Sequence, residues 1–303
     1  MISDTWITIS LPATIPSPPS PILFSLGPFT VRWYAIWIIL GMGLAMWWSS
    51  KRWERRGGKR EFLFDMGLWV CVLGIVGARL MSVVSYPYLY FGAGIPWWQP
   101  FAIWQGGLAI YGGLIAGTLT IWIMARHQHL PLGPLLDSIA PTVLLAQSLG
   151  RLGNYFNQEV FGSATTLPWA LQIDAAHLPS GYASGTTFHP TFLYEIIWNL
   201  SMMGLILLYE KLRMSRPVTE TAGEPTRPAD SKASFGNLGA YEVTALYFAC
   251  YSTGRFFLEF VRIDSQATLP GGLRLFQLMA LIVAVAAVAL FVVARQKSLP
   301  AAL

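Results

Sequence analysis

The chain is poor in charged residues and in cysteine. Asp, Glu, Lys and Arg make up 12% of its 303 residues, against about 25% in typical soluble domains. So little charge leaves a water-exposed surface uncovered, which argues against a soluble enzyme. The apolar and aromatic content argues against a disordered chain, a coiled coil or a collagen-like fibre. Cys71 and Cys250 stand far apart in apolar runs, a spacing that fits neither a disulfide framework nor a metal site. We therefore predict two bystander thiols, no metal and no cofactor.

Apolar residues take the place of the missing charge. They make up 54% of the chain and aromatics 14%, and the mean hydropathy is +0.50. A helix that crosses a bilayer needs about 20 mostly apolar residues. Seven stretches qualify, so we predict an all-α integral membrane protein with seven transmembrane helices: Trp33–Ser49, Phe64–Ser85, Gly106–Ala125, Leu136–Phe156, Pro190–Tyr209, Ala240–Val261 and Arg274–Ala294.

Basic residues are missing from two of the segments between these spans, 86–105 and 157–189. Fourteen of the 20 Lys and Arg residues lie in the alternate segments and in the tail, which the positive-inside rule places in the cytoplasm. The N-terminus is then outside and the C-terminus cytoplasmic, and the net charge of +5 is a topology signal rather than a sign of a nucleic-acid partner. The fourteen are Lys51, Arg52, Arg55, Arg56, Lys59, Arg60, Arg126, Lys211, Arg213, Arg216, Arg227, Lys232, Arg295 and Lys297.

The domain organisation follows from these spans. We predict an N-terminal arm on the outer face (1–32), a single seven-span membrane domain (33–294) and a cytoplasmic tail (295–303). A stretch rich in Pro, Thr, Glu, Ala and Ser at about 213–237 is typical of a disordered cytoplasmic linker. The first 30 residues lack the basic region that opens a cleaved signal peptide, and no internal repeat supports an inverted-repeat transporter.

Six arginines lie within or at the edge of a predicted span. A charged residue at the bilayer centre costs about 2.5–3.5 kcal/mol on insertion scales, so such residues normally face the protein interior or water and mark function. Arg32 and Arg274 stand at span edges, where snorkelling to the headgroups is an open alternative. The other four are Arg79, Arg151, Arg255 and Arg262.

The predicted topology brings polar residues of six spans to one depth. Odd-numbered spans begin outside and even-numbered spans end there, so both contribute to the outer half of the membrane. A cationic cluster at that depth suits an anionic lipid headgroup. The residues concerned are Arg32, Tyr34, Arg79, Tyr111, Arg151, Asn154, His189, Glu195, Arg255 and Glu259.

Local spacing predicts several pairs among these residues. Arg151 and Asn154 are three apart and share a helix face. Glu195 lies inside an apolar run and needs a partner, for which a nearby arginine is the natural choice. Arg255 and Glu259 are four apart, so a purely structural ion pair is an open alternative for them.

Other candidates carry alternatives of their own. Asn157 and Glu159 follow the fourth span, where capping or loop hydrogen bonds would also explain them. His189 opens the fifth span and could be only an interfacial hydrogen-bonding residue. Paired glycines bracket Tyr111 and indicate either helix packing or room for a substrate beside its hydroxyl.

Taken in order along residues 22–290, these motifs resemble the prolipoprotein diacylglyceryl transferase family. The strongest match is Gly150-Arg151-Leu152-Gly153-Asn154-Tyr155-Phe156-Asn157-Gln158-Glu159 through Gly162. Five further matches are Ser25-Leu26-Gly27-Pro28 with Trp33-Tyr34, Gly77-Ala78-Arg79-Leu80, Tyr111-Gly112-Gly113-Leu114, His189-Pro190 with Leu193-Tyr194-Glu195, and Gly254-Arg255 with Glu259-Phe260-Val261-Arg262.

The resemblance implies a multi-pass enzyme of the bacterial cell (inner) membrane with its active site toward the outer leaflet. Its partners would be phosphatidylglycerol, among the membrane lipids, and the lipobox peptide of a prolipoprotein. The family moves the diacylglyceryl group of phosphatidylglycerol to the lipobox cysteine, forming a thioether and releasing glycerol phosphate. The resemblance implies that Arg151 contacts phosphatidylglycerol and gives as further site residues Tyr34, Asn154, Glu159, Arg255, Glu259 and Arg262.

A mechanism can be predicted on this basis. Arg151 and Arg255 would bind the phosphate and lower the pKa of the incoming thiol. Asn154 and Tyr34 would orient the headgroup, with Asn157, Arg79, Glu259 and Arg262 as further substrate-binding residues. Tyr111, relayed to His189 or Glu159, would receive the proton, although some family members carry histidine at the position of Tyr111.

A lipid or anion transporter is the competing function. It would also explain arginines within spans, but it predicts polar residues along the whole pathway. The inner ends of the spans carry Asp65, Asp137 and Glu242, for which helix capping is a sufficient explanation.

Overall fold

The computed structural model describes residues 14–27, 29–214, 238–263 and 272–297. The prediction of a helical chain is confirmed, because long α-helices account for most of these residues. Parts of the predicted arm, linker and tail, at 1–13, 215–237 and 298–303, lie outside the described residues. Within the described ranges the seven α-helices are α1 Trp33–Arg55, α2 Arg60–Ser85, α3 Ile110–His127, α4 Leu132–Asn157, α5 Thr191–Met214, α6 Glu242–Leu258 and α7 Leu275–Lys297.

Most helix bounds lie within a few residues of the predicted spans, with two informative differences. Helix α3 begins at Ile110 rather than at Gly106. Gly106 and Gly107 have φ angles of 88° and 71°, a left-handed conformation that glycine adopts readily and that ends regular helix. Helix α1 runs past its apolar stretch to Arg55, since a helix can continue beyond its apolar residues.

Four of the helices are long and apolar enough to cross a membrane by length and composition: α2, α4, α5 and α7. Many large apolar side chains on these helices point away from the protein, such as Leu68, Val76 and Val285, which are 61%, 56% and 63% exposed. Exposed apolar faces of this extent mark contact with a membrane or a partner. The chain therefore has the helices and the surface of a membrane protein.

Two small antiparallel sheets were not predicted. Strands β1 (Ile22–Leu26) and β2 (Phe29–Arg32) form a hairpin that leads into α1, and β3 (Leu171–Gln172) pairs with β4 (Thr187–Phe188). Single bridges extend the second sheet from Ala164 to Phe188 and from Leu171 to Ile15. The described chain is thus helical with a little β-structure rather than purely α.

The helices belong to two compact units. One unit contains residues 46–139 among those described, and the other contains the rest. In the 46–139 unit, α2 and α3 pack closely through glycine: a Cβ on Gly112 would lie 2.2 Å from the carbonyl oxygen of Gly77. Of the two explanations offered for the glycines around Tyr111, helix packing therefore applies to Gly112.

The other unit carries α4 from residue 140 onward together with α5, α6 and α7. Its helices pack around an apolar core, and a second apolar cluster joins the small sheet to the start of α5. The core contains Ala140, Leu144, Ile206, Val243 and Tyr247, and the second cluster contains Phe161, Leu171, Ile173, Phe188 and Phe192. We refer to this unit as the arginine unit, because it holds Arg151, Arg255, Arg262 and Arg274.

Candidate functional site

A buried carboxylate joins three helices of the arginine unit. Glu195, in the first turns of α5, is 3% exposed. Its Oε2 lies 2.5 Å from the Nε of Arg151 on α4, and its Oε1 lies 3.4 Å from the Nη1 of Arg255 on α6. The prediction that Glu195 has an arginine partner is confirmed, and two arginines share the role.

A second buried carboxylate, Glu259, follows the last turn of α6. Its Oε2 lies 3.0 Å from the Nη2 of Arg255 and 3.9 Å from the Nε of Arg262. Its Oε1 lies 3.8 Å from the Nη1 of Arg274, which also donates to the carbonyl oxygen of Arg262 at 2.7 Å. The predicted Arg255–Glu259 pair is present, and Arg274, whose position at a span edge left snorkelling open, is held by protein groups.

Asn154 continues the network from Arg151. Its Oδ1 accepts a hydrogen bond from the Nη1 of Arg151 at 2.9 Å, and its Nδ2 donates to the Oε1 of Glu159 at 2.8 Å. Asn157 donates to the same oxygen of Glu159 at 3.2 Å. The shared helix face predicted for Arg151 and Asn154 thus corresponds to a direct contact.

The backbone after α4 turns sharply to aim Glu159 back at the helix. Gln158 and Val160, on either side of it, have φ angles of 51° and 58°. Left-handed backbone is uncommon for residues other than glycine, rarest for a β-branched one, and is often found at functional sites. The turn returns the Glu159 amide to the carbonyl oxygen of Asn154 at 3.1 Å.

Gln158 was not identified from the sequence, although it fixes this turn. Its side-chain amide donates to the Oδ2 of Asp174 at 2.6 Å and accepts from the Asp174 backbone amide at 2.8 Å. Hydrogen bonds from Ser17 and Gln158 hold the pKa of Asp174 below its usual range. Gln158 and Asp174 are 16 positions apart, so no local spacing in the sequence predicts their contact. In the structure Gln158 is buried, with 4% of its surface exposed.

Tyr34 and His189 also lie in the arginine unit. The ring of Tyr34 packs on Gly153, where a Cβ would be 2.6 Å from its Cδ2, so the glycine makes room for the tyrosine beside Asn154. The Nδ1 of His189 lies 3.1 Å from the hydroxyl of Tyr194, and its backbone pairs with Gly162 and Ser163.

Arg79 and Tyr111 belong to the 46–139 unit. The Arg79 guanidinium is 6% exposed and donates to the Tyr90 hydroxyl and to four backbone carbonyls. Tyr111 is 49% exposed in the first turn of α3. The four carbonyls belong to Gln99, Pro100, Gly106 and Gly107.

The ion pairs of the arginine unit suit an anionic ligand. Arg151 and Arg255 keep 23% and 19% of their side chains exposed while their carboxylate partners are buried. The buried carboxylates orient the guanidinium groups of the two arginines. The guanidinium N–H groups that the carboxylates leave unused match the oxygens of a phosphate. Among the described residues, no three His, Cys, Asp or Glu side chains come together as metal ligands would.

The sequence was then compared with known proteins. The model of the family described as "Prolipoprotein diacylglyceryl transferase" matches residues 21–293. Phosphatidylglycerol–prolipoprotein diacylglyceryl transferase 2 of Streptomyces coelicolor is 40% identical over 285 residues, which cover 94% of this chain and 82% of that protein. The enzyme of the same name (without the number) from Cutibacterium acnes is also 40% identical, covering 94% and 88%. That of Corynebacterium glutamicum ATCC 13032 is 38% identical, covering 92% and 84%.

Proposed function

The chain belongs to the prolipoprotein diacylglyceryl transferase family, and we propose that it performs this reaction on phosphatidylglycerol and a prolipoprotein. The thiol sulfur of the lipobox cysteine bonds to the carbon of the diacylglyceryl group that carries the phosphate. The bond from that carbon to the phosphate oxygen breaks, and glycerol phosphate leaves with the electron pair. The thiol proton passes to a base, and the product is a thioether.

The observation that carries the proposal is the pair of arginines on Glu195. The leaving phosphate needs positive charge on its oxygens, and preorganised donors supply this at low cost in reorganisation. Arg151 and Arg255 come from different helices and are aligned by one buried carboxylate. Their field also lowers the pKa of a nearby thiol, which is only a few per cent ionised at neutral pH.

Neighbouring groups serve orientation. Asn154 and Tyr34, beside Arg151, position the headgroup. Glu159 accepts from the Asn154 side chain and holds it in place, and Asn157 donates to the same oxygen of Glu159. Glu259 and Arg262 extend the ion-pair network beyond the end of α6. The donors of Arg79 are occupied by backbone carbonyls, so its role is to order residues 99–107.

The test is transfer in vitro from radiolabelled phosphatidylglycerol to a lipobox peptide by the purified full chain. We expect a labelled thioether peptide and the release of glycerol phosphate. Folded protein that transfers no label would instead favour a lipid or anion transporter. Helix capping does not account for Glu242: α6 has no side-chain cap, and the buried Glu242 carboxylate accepts from the Gly239 amide and the Tyr209 hydroxyl. It also lies 3.7 Å from the Nε of Arg213 and 4.0 Å from the Nη1 of Arg295, so its charge is paired within the protein.

We propose that the Tyr111 hydroxyl receives the thiol proton. Tyr111→Phe keeps the ring and removes only the hydroxyl, so we expect kcat/KM for transfer to fall by about 10²–10⁴-fold, the range for general acid–base groups. Tyr88→Phe is the matched control, because Tyr88 lies in the same unit and is 68% exposed. Full activity of Tyr111→Phe would assign the proton to another group.

We further infer seven spans in the bacterial inner membrane, with the N-terminus outside and the active site toward the outer leaflet. Arg151, Glu195 and Arg255 lie at helix ends opposite to those that carry most basic residues, such as Lys211 and Arg295. In a chain with both cysteines replaced by serine, Ser180→Cys should react with a membrane-impermeant maleimide in intact spheroplasts. Gln128→Cys should react only after permeabilisation, and the reverse pattern would invert the topology.

A further inference from the structure

A second polar layer lies one helical turn from the arginine–glutamate cluster. Gln147 precedes Arg151 by four residues on α4, Asn199 follows Glu195 by four on α5, and Tyr251 precedes Arg255 by four on α6. Residues four apart lie on one face of a helix, one above the other. Since Glu195 contacts both arginines, these faces meet, and the three residues form a layer displaced in the same direction on each helix.

Two side-chain atoms of this layer are buried without a partner among the described residues. They are the Nδ2 of Asn199 and the Oε1 of Gln147. Asn199 is 2% exposed. A buried polar group that lacks a hydrogen bond destabilises the protein, and in a membrane region no bulk water relieves it. The Nδ2 of Asn199 is therefore a donor, and the Oε1 of Gln147 an acceptor, available for a ligand.

Gln147 can also present a donor. Its Nε2 is placed 3.1 Å from the hydroxyl of Tyr247. A hydroxyl both donates and accepts, and amide oxygen and nitrogen are interchangeable by rotation. With the amide rotated, Tyr247 donates to the oxygen of Gln147 and the amide NH₂ is released. Asn199 and Gln147 then offer two amide donors from two helices.

Helix packing at this level is close. A Cβ on Gly254 of α6 would lie 2.3 Å from the Nε1 of Trp198, the neighbour of Asn199 on α5. That Nε1 donates to the carbonyl oxygen of Cys250 at 2.9 Å. The glycine lets α5 approach α6, which confines the Asn199 amide to the space between the helices.

We propose that Asn199 and Gln147 bind the ester carbonyl groups of the lipid substrate, an inference that rests on the proposed function. One helical turn is about 5.4 Å, comparable to the glycerol backbone that separates the phosphate of a phospholipid from its ester carbonyls. With the phosphate on Arg151 and Arg255, the carbonyls reach the amide layer. Carbonyl oxygens only accept hydrogen bonds, and amide NH₂ groups supply the matching donors. The layer thus selects ester-linked diacyl lipids over ether-linked ones.

The test compares diester and diether phosphatidylglycerol of equal chain length. For each variant, KM is measured with the labelled diester lipid, and the inhibition constant of the diether lipid is measured by competition. In the wild type the diether lipid, which lacks both ester carbonyls, should bind about a hundredfold more weakly, the size of two neutral hydrogen bonds. Asn199→Leu and Gln147→Met should each raise the KM of the diester about tenfold and change the inhibition constant of the diether less than twofold.

Ser201→Leu is the control, because Ser201 is an exposed polar residue of the same helix and its change should affect neither lipid. Equal weakening of both lipids by Asn199→Leu and Gln147→Met, or no change for either, would overturn the inference while leaving the function intact. If one of the variants Asn199→Leu and Gln147→Met does not fold, the other variant decides the result. Wild-type protein that transfers no diester lipid would overturn the proposed function, and this inference with it.

Discussion

Replacing Arg151 with alanine is expected to lower kcat/KM for diacylglyceryl transfer by about 10²–10³-fold, the loss typical for a donor that stabilises a leaving or developing anion. Arg151 has two further contacts that depend on its planar fork, with its Nε on Glu195 and its Nη1 on Asn154. The change therefore removes a phosphate donor and one of the two side-chain contacts that orient Asn154. The measurement is steady-state transfer from labelled phosphatidylglycerol to a lipobox peptide.

Arg151→Lys separates charge from geometry. Lysine keeps the positive charge but is a point donor that cannot reach Glu195 and Asn154 together, so we expect activity between those of the wild type and Arg151→Ala. Arg126→Ala is the matched control, since Arg126 is an exposed arginine in the last turn of α3. If Arg151→Ala transfers lipid at near-normal rates, the phosphate is bound elsewhere.

The contacts around Arg151 show how far the sequence could predict the site. Helical spacing was sufficient for Arg151 with Asn154 and for Arg255 with Glu259, because neighbours on a helix face are fixed by the helix itself. A charge in an apolar run was sufficient to predict an arginine partner for Glu195. Spacing could not say that two arginines share Glu195, because this depends on how α4, α5 and α6 pack.

Contacts made by irregular backbone could not be predicted from the sequence either. Arg79 was predicted as a substrate ligand from its depth in a span, yet its partners are carbonyls near the left-handed Gly106 and Gly107. The bridge between Gly162 and Arg262 joins segments 100 residues apart, and no periodic pattern encodes such a pairing. The fold class and helix positions thus follow from composition and charge, whereas the small sheets and Arg274 require the three-dimensional packing.

Glu259 should have the largest effect on stability. Its side chain is 1% exposed and faces Arg255, Arg262 and Arg274, so Glu259→Ala leaves three guanidinium groups without their shared carboxylate. Removing one partner of a buried ion pair typically costs about 3–5 kcal/mol. We expect the melting temperature of the detergent-solubilised protein to fall by several degrees or more, at about 2–4 °C per kcal/mol for chains of 150–250 residues. Glu259→Gln keeps an acceptor and should lose less.

The Glu259→Gln variant also tests whether an anionic lipid stabilises the protein at this site. The loss of the carboxylate removes one negative charge beside the three arginines, so an anion that binds there stabilises the folded state by mass action. Phosphatidylglycerol should raise the melting temperature of Glu259→Gln more than phosphatidylcholine does, because only the former has a net negative charge. Glu61→Gln, at an exposed position in the first turn of α2, should show neither the loss nor the selective recovery. Equal recovery with both lipids would mean that Glu259 stabilises the arginines without contributing to an anion site, and phosphate binding would then be assigned to Arg151, which Glu195 orients.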